Sequence, residues 1–292
     1  KQCNAAGVDV IADVVLNHTT GHDVSWVDDQ YGVDGTAYNG SYGRYPSMDP
    51  YAEGGTQGLY QYQESGNNHQ YGLPSGDFHT CKSNVSDNIS DYSNAEVWNC
   101  RLSTMWDINT GNGRVQNMQA DYLNRLWRDG VRGFRIDSAK HMDPDDIAAI
   151  KRKFMDKAGI NGQSFPWSQE VIYHQGESSK FAPERYEKNG EVTQFSYAYS
   201  LLKDFNGSIT DLKYITSDLL KRSDDATVFV ANWDSARGSE TLSPTSGARY
   251  ELANAFMLGY DYGHPKILSD YYFDKSTQYD DGVKDTSDTK VP

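Results

Sequence analysis

The chain has 292 residues, a formal net charge of −14, and an aromatic fraction of 13% against 37% apolar residues overall. That length supports a sizeable core in one large or two smaller domains, and 21 Tyr and 6 Trp supply many flat rings. The acidic balance, without clustered Lys and Arg, argues against a nucleic-acid partner, and no apolar run approaches bilayer length, so a soluble protein without a membrane partner is expected.

The opening "KQCNAAG" reads as the end of a helix closed by Gly7, so the natural N-terminus is expected to lie further upstream. Strands are predicted at 8–16, 131–137, 165–172, 192–197, 227–232 and 255–259. Between them, Val115, Met118, Tyr122, Leu123 and Leu126 recur at helical spacing until Gly130, and Asp143 with Pro144 opens a second helix that ends near Gly159. Alternation of this kind predicts a parallel sheet flanked by helices. Polar groups collect where the strands end: Asn17, His18, Asp137, Glu170, Asn232 and Asp234. In a barrel of eight strand–helix units, that is the face where active sites are built. An open doubly wound sheet also binds ligands beyond its strand ends, but no glycine-rich phosphate loop supports it. Six of the eight strands are legible, so the expected fold is α/β, a partial (β/α)8 TIM barrel with two strands upstream.

Residues 19–105 interrupt the alternation and are rich in Gly, Tyr, Asn, Ser and Asp. This is too long for an ordinary connection, so we read 19–105 as a small inserted domain, and 1–18 with 106–292 as an incomplete catalytic barrel. Cys81 and Cys100 could close a bridge within the insertion, leaving Cys3 as a free buried thiol or as the partner of a cysteine upstream. The final "DDGVKDTSDTKVP" reads as solvated.

The stretch "GVRGFRIDSAKH", Gly130 to His141, runs an apolar strand containing Phe134 and Ile136 into Arg135 and Asp137. A single Asp at a strand end is more often a cap or an ion-pair partner than a catalyst. Asp137, Glu170 and Asp234, however, end three different predicted strands of one barrel and should converge. Glycosidic bond cleavage needs such a set: one ionised carboxylate to attack the sugar carbon and one protonated carboxyl to donate to the leaving oxygen.

Four segments, "DVVLNH" (Asp13 to His18), "GFRIDSAKH" (Gly133 to His141), "QEVI" (Gln169 to Ile172) and "FVANWD" (Phe229 to Asp234), resemble in order and spacing the signatures of the α-amylases of glycoside hydrolase family 13. The resemblance spans nearly the whole chain and is strongest to animal-type and actinobacterial or marine bacterial members. It implies an endo-acting, retaining hydrolase of α-1,4-glucosidic bonds in starch, glycogen and related glucans, with malto-oligosaccharides as partners. Asp137 would be the nucleophile, Glu170 the general acid that later activates water, and Asp234 the group that holds the distorted sugar. Glu170 must then carry a proton while Asp137 does not, a split that Arg135 beside Asp137 favours. His18, Arg135, Lys140, His141 and Trp233 match sugar-contacting positions, and Tyr92 is expected to stack on a sugar.

The resemblance also implies two ions. Structural calcium would be held by the Asn17 side chain, the Asp107 carboxylate and the backbone carbonyls of Trp98 and His141, a set of oxygen ligands that suits this cation. Without the motif context, Asn17 would be a turn residue and Asp107 a helix cap. Chloride would sit on Arg135, Asn232 and Lys266, the last in "YGHPKILS", where it would offset the field of Arg135 and keep Glu170 protonated; Lys266 also reads as a surface lysine.

One signature departs from the family. Its fourth segment normally reads Asn-His-Asp, whereas here Trp233 replaces the histidine with a bulkier ring bearing one donor. Two other readings therefore stand beside the amylase: a related α-glucosidase or transglycosylase, and a catalytically impaired carbohydrate-binding relative. The family and the Cys81–Cys100 bridge imply secretion, and a monomer is expected. Sequons at Asn39, Asn84, Asn88 and Asn206 are weak signals, since Asn17 also fits the pattern.

Overall fold

The computed structural model describes residues 2–21, 30–31, 37–38, 62–64, 67–69, 77–82, 88–103, 105–161 and 164–269. The chain divides into two compact units: Lys1–Val171 with Gln175–Gly190, and Ile172–His174 with Glu191–Pro292.

The first unit begins with a short helix, α1 (Gln2–Ala5), closed by Gly7 in the left-handed conformation at φ 75°. Strand β1 (Val10–Val15) follows, and β2 (His18–Gly21) leads into the insertion. Within the insertion lie two short antiparallel pairs, β3 (Gln30–Tyr31) with β4 (Ala37–Tyr38), and β5 (Tyr62–Glu64) with β6 (Asn67–His69). The chain returns on β7 (Met105–Asp107), which pairs antiparallel with β2 so that His18 faces Asp107 and Gly21 faces Met105. The excursion therefore departs and returns at neighbouring positions. Cys81 and Cys100 are disulfide-bonded, as the sequence allowed, while Cys3 is exposed rather than buried.

Helix α2 (Gly113–Asp129) is capped by the Asn112 side chain, which accepts from the Arg114 N–H at 2.9 Å, and it ends at Gly130 in the left-handed region. Strand β8 (Val131–Asp137) pairs in parallel with β1, and helix α3 (Pro144–Ala158) begins at the Asp143 cap and ends at Gly159. Strand β9 (Trp167–Gln169) pairs in parallel with the other edge of β8. Gly133 makes that pairing possible, because a Cβ there would lie 2.7 Å from Pro166 Cβ and 2.9 Å from the Pro166 carbonyl oxygen. Behind the sheet, Phe134, Phe154, Phe165, Trp127 and Trp167 pack edge to face at centroid distances of 5.3 to 6.1 Å.

The second unit repeats the alternation with β10 (Glu191–Thr193), helix α4 (Phe195–Asn206), β11 (Ala226–Phe229), helix α5 (Ala248–Gly259) and β12 (His264–Lys266). Strands β10, β11 and β12 are parallel neighbours in that order. Leu201, Val228, Val230, Ala253 and Met257 form part of the core of this unit.

Two predicted strands need correction. Residues 255–259 are the last turns of α5; Ala253 and Met257, four residues apart, are the positions it buries. A five-residue window around Phe256 is too short to show that period, and the strand comes later, at β12. Residues 192–197 divide into β10 and the start of α4, because Phe195, Ala198 and Leu201 bury one helical face. Among the described residues, no helix is long and apolar enough to cross a membrane. Asn39, Asn84 and the end of the chain lie outside the described residues.

One lysine in the first unit is held in an apolar setting. Lys151 Nζ lies 5.2 Å from the Phe165 ring centre and 5.1 Å from that of Trp167, donates to the Asn189 carbonyl at 2.6 Å, and is pushed by burial down to about 8 from 10.5. Between those two pH values the unfolded chain holds a proton that the folded chain has released, so this site adds stability as pH rises. Urea unfolding of wild type and Lys151→Met from pH 7 to pH 10.5 should show wild type gaining on the variant above about pH 8. A constant gap across that range would contradict the assignment.

Candidate active site

The site in the first unit is organised by one guanidinium. Arg135 lies on β8 opposite Asp13 of β1, and Asp137 lies opposite Val15. Arg135 Nη1 donates to Asp13 Oδ1 at 2.8 Å, to Asp13 Oδ2 at 3.0 Å and to Asp137 Oδ1 at 2.7 Å. Its Nη2 pairs with Glu170 Oε1. The Arg135 side chain is 12% exposed and Glu170 7%, whereas Asp13 is 45% exposed, so the Asp137 and Glu170 contacts are the better shielded ones. This ion-pair geometry suits an ionised Glu170; proton donation requires that contact to loosen.

Backbone geometry places Glu170 there. Its N–H donates to the Ile136 carbonyl at 3.0 Å, and its own carbonyl accepts from the Lys140 N–H at 3.1 Å. Ser138, directly after Asp137, takes a left-handed φ of 50° and donates its N–H to Glu170 Oε2 at 2.8 Å. The turn that follows β8 thus fixes the carboxylate at the end of β9.

A second group surrounds this pair. His18 is half-buried; burial lowers its pKa, and the Asp137 charge works in the opposite direction. His141 is pushed down to about 3, first by burial and then by Lys140 and His18. The Tyr92 hydroxyl lies 3.2 Å from His141 Nε2, and Lys140 Nζ sits 4.2 Å from the centre of the Tyr92 ring. Lys140 Nζ also contacts Glu177 Oε1 at 2.8 Å and Oε2 at 2.7 Å. The Ser178 N–H donates to the Tyr92 carbonyl at 3.0 Å, which ties the insertion to the loop after β9. Sequence reasoning passed over Asp13 and Glu177 as site residues. Asp13 sits inside a quoted signature, but Glu177 stands in a loop with no periodic signal.

Asn17 and Asp107 are each 1% exposed. Asp107 Oδ2 meets His79 Nδ1 at 2.7 Å, while Asp107 Oδ1 is buried without a hydrogen-bond partner among the described residues. Burial pushes Asp107 up to about 7, against the pull of His79 and Arg101. A buried carboxylate oxygen in this state has unused capacity for a cation. The Trp98 indole N–H donates to the Lys140 carbonyl at 3.2 Å and so holds the short helix Ala95–Asn99 against the turn at Ala139–His141.

The remaining predicted residues belong to the second unit. Asn232 Oδ1 accepts from the N–H groups of Asp234 at 3.1 Å and Ser235 at 2.8 Å, a turn that presents Asp234 at the surface beyond β11. Trp233 is 44% exposed, and Lys266 is exposed on β12 opposite Phe229.

Residues 1–187 match the model of the α-amylase catalytic domain. The chain belongs to this family. It is 39% identical to an α-amylase of Aeromonas hydrophila over 284 residues, covering 96% of this chain and 54% of that protein. It is 35% identical to one of Streptomyces violaceus (92% and 40% covered) and 34% identical to one of Tribolium castaneum (95% and 52% covered). The crystal structure of α-amylase I from Eisenia fetida superimposes with a TM-score of 0.72 at 31% identity, over 93% of this chain and 52% of that one. A mutant of the same enzyme, solved as a maltohexaose complex, gives the same TM-score. The chain thus spans about half the length of the relatives it matches, and its parallel strands form a partial (β/α)8 barrel.

Removing Arg135 leaves Asp137 and Glu170 close together without their shared cation. Arg135→Met should therefore destabilise the chain by roughly 3–5 kcal/mol, as when one partner of a buried ion pair is lost, with the exposed Asp13 contributing little of this. Urea unfolding at pH 7 measures it, and a loss below about 1 kcal/mol would show that the cluster is held by other contacts.

Proposed function

We propose that the protein to which this chain belongs hydrolyses internal α-1,4-glucosidic bonds of starch, glycogen and related glucans with retention of configuration. The observation that carries this reading is the Arg135 cluster, which holds Asp137 and Glu170 on neighbouring strand ends of a family barrel. In this mechanism Asp137 attacks the sugar carbon and forms a covalent glycosyl intermediate. Glu170 donates its proton to the departing oxygen and then takes one from the incoming water. Asp234 holds the distorted sugar, while His18, Arg135, Lys140, His141, Trp233 and Tyr92 line the substrate.

Calcium is held in this reading by the Asn17 side chain, Asp107 and the carbonyls of Trp98 and His141, and the partnerless Asp107 Oδ1 supports that assignment. When bound, the cation would tie the inserted domain (19–105) to the barrel (1–18 and 106–292) at the strand ends. Chloride, held by Arg135, Asn232 and Lys266, would share the guanidinium with Glu170 and so make the protonated acid easier to reach. Secretion is supported by the Cys81–Cys100 disulfide. The exposed indole of Trp233 favours one second reading, a relative that binds glucan but turns it over poorly.

Hydrolysis of a blocked maltoheptaoside by the complete protein tests these readings. Glu170→Gln should lower kcat about 10²- to 10⁴-fold, and withholding calcium or replacing chloride by nitrate should lower activity. Trp233→His should raise turnover. An intact protein that binds the oligosaccharide without cleaving it would overturn the hydrolase reading in favour of the binding relative.

A further inference from the structure

The insertion contains a group of side chains that the hydrolase reading does not use. Cys81, Glu96 and Cys100 bring two sulfurs and a carboxylate oxygen within 4.8 Å of one another. Both cysteines are buried, at 6% and 2% exposure, and they are joined as a disulfide. Glu96 Oε2 is also shielded from solvent and has no hydrogen-bond partner among the described residues. A carboxylate oxygen turned inward beside a disulfide gains nothing from the sulfurs, because a disulfide offers it neither a proton nor a charge.

The same three groups become a ligand set once the S–S bond is open. Two thiolates and one carboxylate match the donors of a tetrahedral zinc-type site with its fourth position left for water. Metal–sulfur bonds of about 2.3 Å place tetrahedral thiolates roughly 3.8 Å apart, so the sulfurs, bonded to each other here, must separate once reduced, with the Glu96 carboxylate within 4.8 Å of both. Soft sulfur donors select a thiophilic divalent cation over calcium, which prefers all-oxygen shells. The Asn94 side chain fixes the entry to the short helix bearing Glu96 by accepting from the Glu96 N–H at 3.2 Å.

We propose that Cys81, Glu96 and Cys100 form a redox-gated site for a thiophilic divalent cation: closed as the disulfide, and metal-binding when reduced. A dithiol reductant supplies two electrons and two protons, is itself oxidised to its disulfide, and leaves two cysteine thiols. The cation then displaces both thiol protons to solvent as it binds. The site is distinct from the proposed calcium ligands in donor type and does not depend on the glucan reading.

The test uses the 292-residue chain carrying Cys3→Ser, in which Cys81 and Cys100 are the two remaining cysteines. After reduction by a dithiol and anaerobic removal of the reductant, Cd2+ is titrated with calcium present in excess. The ultraviolet sulfur-to-cadmium charge-transfer band and native mass spectrometry are the readouts. The expected result is one Cd2+ per reduced chain with a thiolate band, none in the oxidised chain, and binding weakened about tenfold or more by Glu96→Gln. Glu96→Asp should recover part of the loss, which separates ligation from a folding defect. The proposal is overturned if the reduced chain shows no thiolate band, if the oxidised chain binds equally, or if Glu96→Gln leaves the affinity unchanged.

Discussion

A single arginine on a central parallel strand sets the electrostatics of the whole site. Arg135 is surrounded by Asp13, Asp137 and Glu170, so its charge cannot be removed or moved without leaving acidic groups crowded together in a shielded place. Burial on its own would disfavour the guanidinium charge, and the three carboxylates more than offset that, which raises its pKa. The register of β1, β8 and β9 is what delivers those acids, since parallel pairing places Asp13 beside Arg135 and Gln169 beside Ile136. A one-residue slip would turn the acids away from the arginine and bring apolar residues to the site.

The outer ring of the site is assembled from segments far apart in the chain. Tyr92 comes from the insertion, Lys140 and His141 from the turn after β8, and Glu177 from the loop after β9. Lys140 carries much of this arrangement: its ammonium lies against the Tyr92 ring and pairs with Glu177, while its backbone carbonyl accepts from Trp98 and Tyr186. Burial lowers the Lys140 pKa and the Glu177 contact opposes it, so the ion pair keeps a positive charge where an apolar surface alone would disfavour one. Packing of Tyr92 against Lys140 and His141 is thereby linked to the charge state beside Asp137 and Glu170.

Legibility in the sequence followed the length of the local signal. Residues 131–137 were readable as a strand because Phe134 and Ile136 share a buried face; α2 was readable by its apolar period and its stop at Gly130, and α3 by Asp143, Pro144 and Gly159 at its two ends. The 255–259 segment misled because five residues cannot distinguish a short apolar strand from the end of a helix, and the helical period emerges only with Ala253 and Met257 together. Of the two readings of Cys3, a free buried thiol or the partner of a cysteine upstream, the buried one does not hold, since Cys3 is exposed on a four-residue helix with no buried positions. Asp137 and Glu170 were visible as strand-end carboxylates. The bridge between them through Arg135, with Asp13 as a third arm, depends on cross-strand register that no local pattern encodes.

The pairing of β2 with β7 sets how the insertion can vary. Because His18 and Asp107 face each other, the two ends of the excursion are held side by side whatever lies between them. Segments can be added to or removed from its interior at a cost that grows only slowly with loop length, with the His18–Asp107 pairing left in register. The excursion is thus framed by a fixed doorway: its length can change while the paired strand ends that open and close it keep their register.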